Sequence, residues 1–335
     1  MRIYHYIVIF LLCLSSCQEP QVSYQVVQGE AFGTTYGIQL YSTQEQDWKT
    51  GIDSVVQRVN QSMSTYLPTS DISRINQGDT SVVVDIMFQE VFSLSRKLHQ
   101  QTDGFFDPTV GVLANAYGFG PGYELNELDQ EKVDSLLEYV GFQKVQLTES
   151  GRIQKNHPAI AFDFSAIAKG YGIDRIGAYL EAQGVQDYLI ELGGELLARG
   201  RNLRKEADWR VGIENVDSQL AERSYSAAVR LRDQGMATSG NYRKYRIDPT
   251  TGARYVHTLD PRTGSAQASN VLSASVLAST CAAADGYATA FMAMGLEKAQ
   301  AFLKAHKEID AYLIYEVSKD STSIYATPGF RLQLD

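Results

Sequence analysis

Two oxygen-bearing side chains lie four residues apart in an alanine-rich segment. Asp285 and Thr289 are separated by about one helical turn, so a helix would place them on one face. A carboxylate and a hydroxyl suit Mg²⁺ better than zinc, and a cation would compensate an acid that is surrounded by alanines. Taken alone, a hydrogen-bonded pair on a helix explains the spacing equally well.

A second segment combines a carboxylate, free backbone groups and a lysine where a predicted strand changes into a helix. It begins at Asp163, contains Lys169 and ends at Gly170. Backbone amides at the start of a helix attract phosphate, and Lys169 adds a positive charge. Taken alone, the segment is better explained by an aspartate that caps the helix and a solvated lysine.

A turn-rich loop over residues 257–264 contains a histidine, an aspartate and an arginine. His257 could accept a proton as a general base, and Arg262 could hold phosphate. The run from Asp260 to Gly264 is also simply a favourable turn. The sequence has no Gly-x-Gly-x-x-Gly fingerprint and no P-loop, and its five histidines lack zinc-binding spacing.

The elements that must position these residues are helices and short strands in irregular alternation. Apolar residues at helical spacing predict helices over 47–63, 85–101, 129–140, 167–182, 280–294 and 297–305. Short runs of strand-forming residues predict strands over 145–148, 159–164, 189–191, 209–213, 227–231, 272–277, 311–315 and 323–326. Because antiparallel neighbours are expected late in the chain, this order favours an α+β fold over a doubly wound parallel sheet.

Length and composition are those of a globular protein. The chain has 335 residues, of which 44% are hydrophobic and 21% charged, and these values exclude a disordered, collagen-like or coiled-coil protein. The formal net charge of −9 argues against nucleic acid as a partner. Cys281 lies in a run of small residues and is better explained as a packed core thiol than as a nucleophile.

The N-terminal end has the pattern of an export signal. Arg2 precedes an apolar run over 7–12 that is too short to span a bilayer, and Leu-Ser-Ser precedes Cys17. This ending resembles a bacterial lipobox, in which cleavage precedes a cysteine that becomes lipidated. We therefore expect a signal peptide over 1–16, a tether over 17–28, one domain over 29–335 and a lipid anchor on Cys17. The alternative is an ordinary secretory signal with a chance cysteine.

Nine segments, in this order, resemble the ApbE family of FAD:protein FMN transferases, which are flavin-trafficking lipoproteins of bacteria. Each segment is weak alone, but together they cover nearly the whole chain from about Gly29 to Ala326. The resemblance implies an α+β fold of mixed sheets flanked by helices, with a ligand cleft between two lobes. The segments are 32–36, 63–66, 103–111, 163–170, 193–195, 209–214, 237–242, 257–264 and 285–289.

The resemblance also implies a reaction. FAD is the substrate, Mg²⁺ is the cofactor, FMN is joined through its phosphate to a threonine of an acceptor flavoprotein, and AMP leaves. The implied acceptors are respiratory ion-pump subunits or exported reductases with a Ser/Thr-Gly-Ala-Thr-like site, and the lipid anchor implies a membrane location facing the periplasm or the cell exterior. A metal-dependent FAD pyrophosphatase and a non-catalytic FAD-binding lipoprotein are the alternatives.

Roles for individual residues follow from the same resemblance. The metal would be held by the main-chain oxygen of Ala166 and by the side chains of Asp285 and Thr289. His257 would accept the threonine proton, so His257 and Asp285 are the predicted catalytic residues. Phe32 stands where the family usually has methionine, which predicts a repacked contact. The implied flavin contacts are Phe32, Tyr66, Phe105, Phe106, Asp107, Asp163, Lys169, His257 and Leu259.

Overall fold

An eight-stranded sheet is the framework of the computed structural model, which describes residues 21–122, 128–216, 224–241, 245–247, 252, 254–318 and 321–335. All neighbouring strands in this sheet are antiparallel, and the predicted α+β class is confirmed. In spatial order the strands are β1 (Ser23–Ala31), β2 (Thr34–Ser42), β5 (Asp187–Leu192), β6 (Glu195–Arg199), β9 (Gln234–Gly240), β12 (Val271–Ala278), β13 (Asp310–Ser318) and β14 (Ser321–Ala326).

Three two-stranded sheets accompany the large sheet in the described part of the chain. They pair β3 (Val145–Leu147) with β4 (Ile153–Lys155), β7 (Trp209–Glu214) with β8 (Tyr225–Leu231), and β10 (Tyr245–Ile247) with β11 (Arg254–Val256). Each pair is antiparallel. The β3–β4 and β7–β8 pairs contribute apolar residues to the hydrophobic clusters of the protein.

Several helices begin at residues whose side chains cap them. Asp47, Asp85 and Thr280 each accept a hydrogen bond from the backbone three residues later, as N-cap side chains do. Among the described residues, none of the helices combines the length and apolar character needed to cross a membrane. The helices are α1 (Trp48–Met63), α2 (Asp71–Asn76), α3 (Ile86–Gln101), α4 (Gly111–Ala116), α5 (Gln130–Leu137), α6 (Ala168–Ala182), α7 (Cys281–Ala305) and α8 (Pro328–Gln333).

Apolar side chains cover both faces of the large sheet. The main hydrophobic cluster joins one face to α1, α3, α6 and α7 and draws residues from Ala31 to Leu313. On the opposite face, Trp209 and Phe330 bring the β7–β8 pair and α8 onto the sheet. A smaller cluster joins α4 and α5 to the loop that carries Leu259. This arrangement lets α6, α7 and two long loops meet at one end of the sheet.

The start of α7 is fixed against α6 by a buried aspartate. The carboxylate oxygens of Asp174 accept hydrogen bonds from the backbone amides of Cys281 and Ala282, both at 2.9 Å. The hydroxyl of Thr280 accepts a third from the amide of Ala283 at 3.2 Å. Three amides that a helix start leaves without intrahelical partners are thereby satisfied, and the first turn of α7 is held in one position relative to α6.

Most helices predicted from apolar spacing are confirmed. The two helices predicted over 280–294 and 297–305 are parts of α7, which is interrupted at Gly295 with φ of 74°. The side chain of Asn270 accepts a hydrogen bond from the amide of Leu296 at 3.0 Å, so the second part has its own cap. Glycine tolerates the left-handed conformation at this break, which explains why the pattern changed there.

Two expectations are wrong. Residues 159–164 form only one isolated bridge, because Phe162 bonds both of its backbone groups to the Asn76 side chain and Asp163 donates its amide to the carbonyl of Pro108. Part of the segment expected to be a tether, 17–28, is instead a strand, because β1 begins at Ser23 and pairs along its whole length with β2.

Replacing Asp174 with alanine should destabilise the protein. Two buried amides at the start of α7 would lose their acceptor, so we expect the free energy of unfolding to fall by about 2–4 kcal/mol in urea denaturation. Asp53→Ala is the control, since Asp53 makes an exposed pair with Lys49 and should cost less than about 1 kcal/mol. Equal losses in both variants would contradict this account of the α6–α7 contact.

Candidate functional site

A cavity of about 300 Å³ opens where α6, α7, β9 and two loops meet. Nearly all the residues singled out from the sequence lie on its wall, although they come from segments that are far apart in the chain. The predicted site residues on this wall are Tyr66, Phe105, Phe106, Asp107, Asp163, Ala166, Lys169, His257, Leu259, Asp285 and Thr289.

The pair on α7 forms the floor of the cavity as predicted. The side chain of Asp285 is buried, and its Oδ2 accepts a hydrogen bond from the backbone amide of Gly170 at 3.1 Å. The hydroxyls of Thr289 and Ser239 lie 3.4 Å apart, so β9 brings a further oxygen to the same place. Burial raises the pKa of Asp285, which means that its charge needs a compensating cation.

These oxygen atoms fit a hard divalent cation. The donors are a carboxylate and two hydroxyls, and Ala166 lines the same cavity from the turn before α6. The described residues contain no group of three or more histidine, cysteine, aspartate or glutamate side chains that could hold a metal. Mg²⁺ suits such a site, because it is commonly bound by one or two carboxylates and completes its shell with water and substrate phosphates.

Lys169 is partly buried beside two acids. Its Nζ lies 2.6 Å from Oε2 of Glu195, whose side chain is 4% exposed. Burial lowers the pKa of Lys169, but the nearby carboxylates of Glu195 and Asp285 raise it by more, so the ammonium stays charged. Burial raises the pKa of Glu195, and the Lys169 ammonium at 2.6 Å opposes that rise. Lys169 is therefore a charged ammonium held in an ion pair with Glu195 on the cavity wall.

Two of the predicted flavin contacts use their carboxylates to build the wall. Asp107 accepts hydrogen bonds from the amide and hydroxyl of Thr109 and from the amide of Phe142, and lies 3.3 Å from Nδ1 of His99. Asp163 accepts a hydrogen bond from the amide of Ser165 at 2.7 Å. Both carboxylates shape the loops around the cavity, and their contact with flavin stays a prediction.

Aromatic residues line the mouth of the cavity. Tyr66 is 66% exposed, whereas Phe105 and Phe106 are buried. The guanidinium of Arg262 lies 4.6 Å from the centroid of the Phe105 ring and 2.9 Å from a carboxylate oxygen of Asp103. Arg262 thus ties the 257–264 loop to the opposite loop, a role different from the phosphate contact considered from the sequence.

His257 comes directly after β11 and faces the cavity. The edge of its ring approaches Phe119, with 6.5 Å between the ring centroids. Thr258 and Leu259 continue the same wall and are both buried. An imidazole therefore lies in the same cavity as Lys169 and the oxygen atoms of α7.

Two predicted residues are not part of this wall. Phe32 packs on α6, since a Cβ added to Gly172 would lie 2.3 Å from the Phe32 ring. It is absent from the residues that line the described cavity, so its proposed flavin contact gains no support from position. Cys17 lies outside the described residues.

Sequence reasoning missed several residues of the wall. The most important is Glu195, which follows two glycines within the segment 193–195 and has no local pattern that marks it as a site residue. Thr238, Ser239 and Gly240 were missed because β9 was not predicted as a strand. The other missed residues are mostly apolar or small and have no side chain whose chemistry marks a site. The missed lining residues are Pro108, Val110, Ala114, Phe119, Ser165, Glu195, Thr238, Ser239, Gly240 and Pro261.

Comparison with known proteins gives one consistent result. A model described as the ApbE family matches residues 32–313. An FAD:protein FMN transferase from Vibrio cholerae is 33% identical over 328 residues, covering 96% of this chain and 96% of that protein. Another, from Haemophilus influenzae, is 34% identical over 303 residues and covers 86% of this chain and 85% of that protein.

Solved structures agree. The structure of the flavin transferase ApbE from Vibrio cholerae has a TM-score of 0.82 at 33% identity, covering 94% of this chain and all of that one. The apo form of the flavinyl transferase ApbE from Pseudomonas stutzeri has a TM-score of 0.82 at 28% identity, covering 93% of this chain and 97% of that one. The fold and its chain order are therefore shared along nearly the whole length.

Replacing Gly170 with alanine should disturb the site through packing alone. A Cβ at this position would lie 2.5 Å from the carbonyl oxygen of Cys281, so α6 and α7 would have to move apart. We expect the free energy of unfolding to fall by about 1–3 kcal/mol in urea denaturation. Gly37→Ala is the control, because its added Cβ meets nothing within 4 Å. A Gly170→Ala variant as stable as this control would contradict the close contact.

Proposed function

This chain belongs to the ApbE family, and from that premise we propose that it transfers FMN from FAD to a threonine of an acceptor flavoprotein, with Mg²⁺ bound and AMP released. It is an FAD:protein FMN transferase. What we propose beyond this activity is the requirement for Mg²⁺, the threonine as the acceptor group and AMP as the leaving group. The observation that supports them best is the single cavity shared by Lys169, His257, Asp285 and Thr289.

The proposed reaction exchanges one phosphorus–oxygen bond for another. The threonine oxygen attacks the phosphorus in the FMN half of FAD, and the bond from that phosphorus to the bridging oxygen breaks. The bridging oxygen leaves with AMP, and the hydroxyl proton passes to an imidazole nitrogen of His257. The position of His257 on the cavity wall supports this role, because a general base must come within hydrogen-bond reach of the proton it removes.

The site must compensate the negative charges of the FAD pyrophosphate and of Asp285. The side chains of Asp285 and Thr289 and the main-chain oxygen of Ala166 would hold Mg²⁺, and their oxygen chemistry supports this choice. When bound, Mg²⁺ neutralises phosphate charge and favours attack on phosphorus. Lys169 adds a positive charge that binds a phosphate oxygen, and Tyr66 presents an aromatic face for the flavin ring.

The location is also part of the proposal. The lipobox-like sequence before Cys17 supports export, lipidation and attachment to a membrane, with the domain facing the periplasm or the cell exterior. The acceptors would then be flavoproteins with exposed Ser/Thr-Gly-Ala-Thr-like sites, such as respiratory ion-pump subunits or exported reductases.

Incubation with FAD, Mg²⁺ and an acceptor domain that carries such a site should add the mass of FMN to the acceptor, as measured by mass spectrometry. EDTA should abolish the transfer, and Asp285→Asn should reproduce the effect of EDTA because it removes the charge that holds the cation. His257→Ala should still bind FAD but should lower transfer by about 10²–10⁴-fold. Full transfer in EDTA, or by Asp285→Asn, would contradict the metal part of the proposal.

The same assay separates the two alternatives. Free FMN with an unmodified acceptor would indicate a pyrophosphatase, in which water replaces the threonine as the attacking group. FAD that stays bound and intact would indicate a carrier. Threonine-to-alanine substitution in the acceptor is the matched control, since it removes the attacking oxygen and should leave the acceptor mass unchanged.

A further inference from the structure

Glu195 has no place in the proposed chemistry, yet it is one of the most buried charged groups of the protein. It begins β6 directly after Gly193 and Gly194, whose φ values of 60° and 107° form a turn that glycine adopts readily. Its side chain is 4% exposed and lies on the cavity wall. A buried carboxylate is costly unless it is paired, so its position calls for an explanation.

The charges of the wall do not balance. In the group formed by Lys169, Glu195 and Asp285, two carboxyl groups face one ammonium, so the group carries a formal charge of −1 when both carboxyl groups are ionised. The remaining carboxylates of the wall belong to Asp107, which lies beside His99, and Asp163 at the loop. The cavity is therefore negative while no cation is bound.

Glu195 also determines whether the positive charge of Lys169 is available to a ligand. Since Nζ of Lys169 lies 2.6 Å from Glu195, its positive charge is largely neutralised before any ligand enters. Without Glu195, the ammonium would be available to the phosphates of FAD and to the carboxylate of Asp285. Lys169 would then attract an anion by itself and would compete with a metal for Asp285.

We propose that Glu195 makes FAD binding conditional on a divalent cation, by keeping the cavity negative and by holding Lys169 as a neutralised pair. This inference rests on the proposed use of FAD and Mg²⁺. The pyrophosphate of FAD carries two negative charges, which a negative cavity repels. A divalent cation reverses that charge, and by linkage FAD strengthens cation binding by the same factor. Binding without metal, which would be unproductive, is thereby suppressed.

The test measures FAD affinity with and without metal, using flavin fluorescence immediately after mixing and no acceptor. The ratio of the dissociation constant in EDTA to that in Mg²⁺ should be large for the unaltered chain. Glu195→Gln should lower this ratio by about tenfold or more, mainly through tighter binding in EDTA. Glu195→Asp keeps the charge and should retain most of the ratio. Glu316→Gln removes the same charge from an exposed position on β13 and should leave the ratio unchanged.

The inference is overturned if the ratio of FAD dissociation constants in EDTA and in Mg²⁺ for Glu195→Gln is within about twofold of the ratio for Glu316→Gln. It is also overturned if the unaltered chain binds FAD with the same affinity in EDTA and in Mg²⁺. If Glu195→Gln does not fold, Lys169→Met tests the opposite change, because it makes the buried group more negative and should increase the ratio. This outcome can be distinguished from that of the transfer assay. If FAD does not bind at all, the proposed function is contradicted. If FAD binds and the effect of Mg²⁺ on its affinity does not depend on Glu195, only this inference is contradicted.

Discussion

The buried carboxylate of Asp285 is the constraint on which the site depends. It lies on an alanine-rich helix, is almost inaccessible to water and accepts a hydrogen bond from the amide of Gly170. A negative charge in such a place is unfavourable by several kcal/mol unless a cation is near. The partial compensation by Lys169 is shared with Glu195, so the pocket keeps a demand for positive charge. That demand is what makes the cavity suited to a divalent cation and a phosphate-bearing substrate.

The fold serves this constraint by fixing two helices. Asp174 holds the first turn of α7, and the absence of a side chain at Gly170 lets the start of α6 approach the Cys281 carbonyl. β9 then brings Ser239 to the hydroxyl of Thr289. Because these contacts involve buried backbone groups, the positions of Asp285 and Lys169 depend on the packing of α6 against α7 rather than on flexible loops.

Sequence patterns could predict much of this arrangement. Apolar spacing located the long helices, and the spacing of Asp285 and Thr289 correctly placed both on one wall. Local patterns could not show that Asn76, distant in the chain, replaces a neighbouring strand for Phe162. They also overlooked Glu195, because its importance comes from a tertiary contact with Lys169.

The roles assigned to aromatic and charged residues show the same limit. Arg262 was considered for phosphate, but it bonds Asp103 and covers the ring of Phe105, a contact that only the folded loops create. Phe32 lies against Gly172 of α6, and its flavin contact stays a prediction. The type of a side chain predicts which interactions it can make. The packing of the folded protein determines which group it actually contacts.

The most direct test of the central claim is to locate a divalent cation in a crystal of the protein grown with FAD and Mn²⁺. Anomalous scattering identifies Mn²⁺ without reference to the surrounding side chains. We predict one strong peak in contact with a carboxylate oxygen of Asp285 and the hydroxyl of Thr289, at about 2.0–2.3 Å. FAD bound in the cavity with no anomalous peak beside Asp285 would contradict the claim that this carboxylate exists to hold a cation.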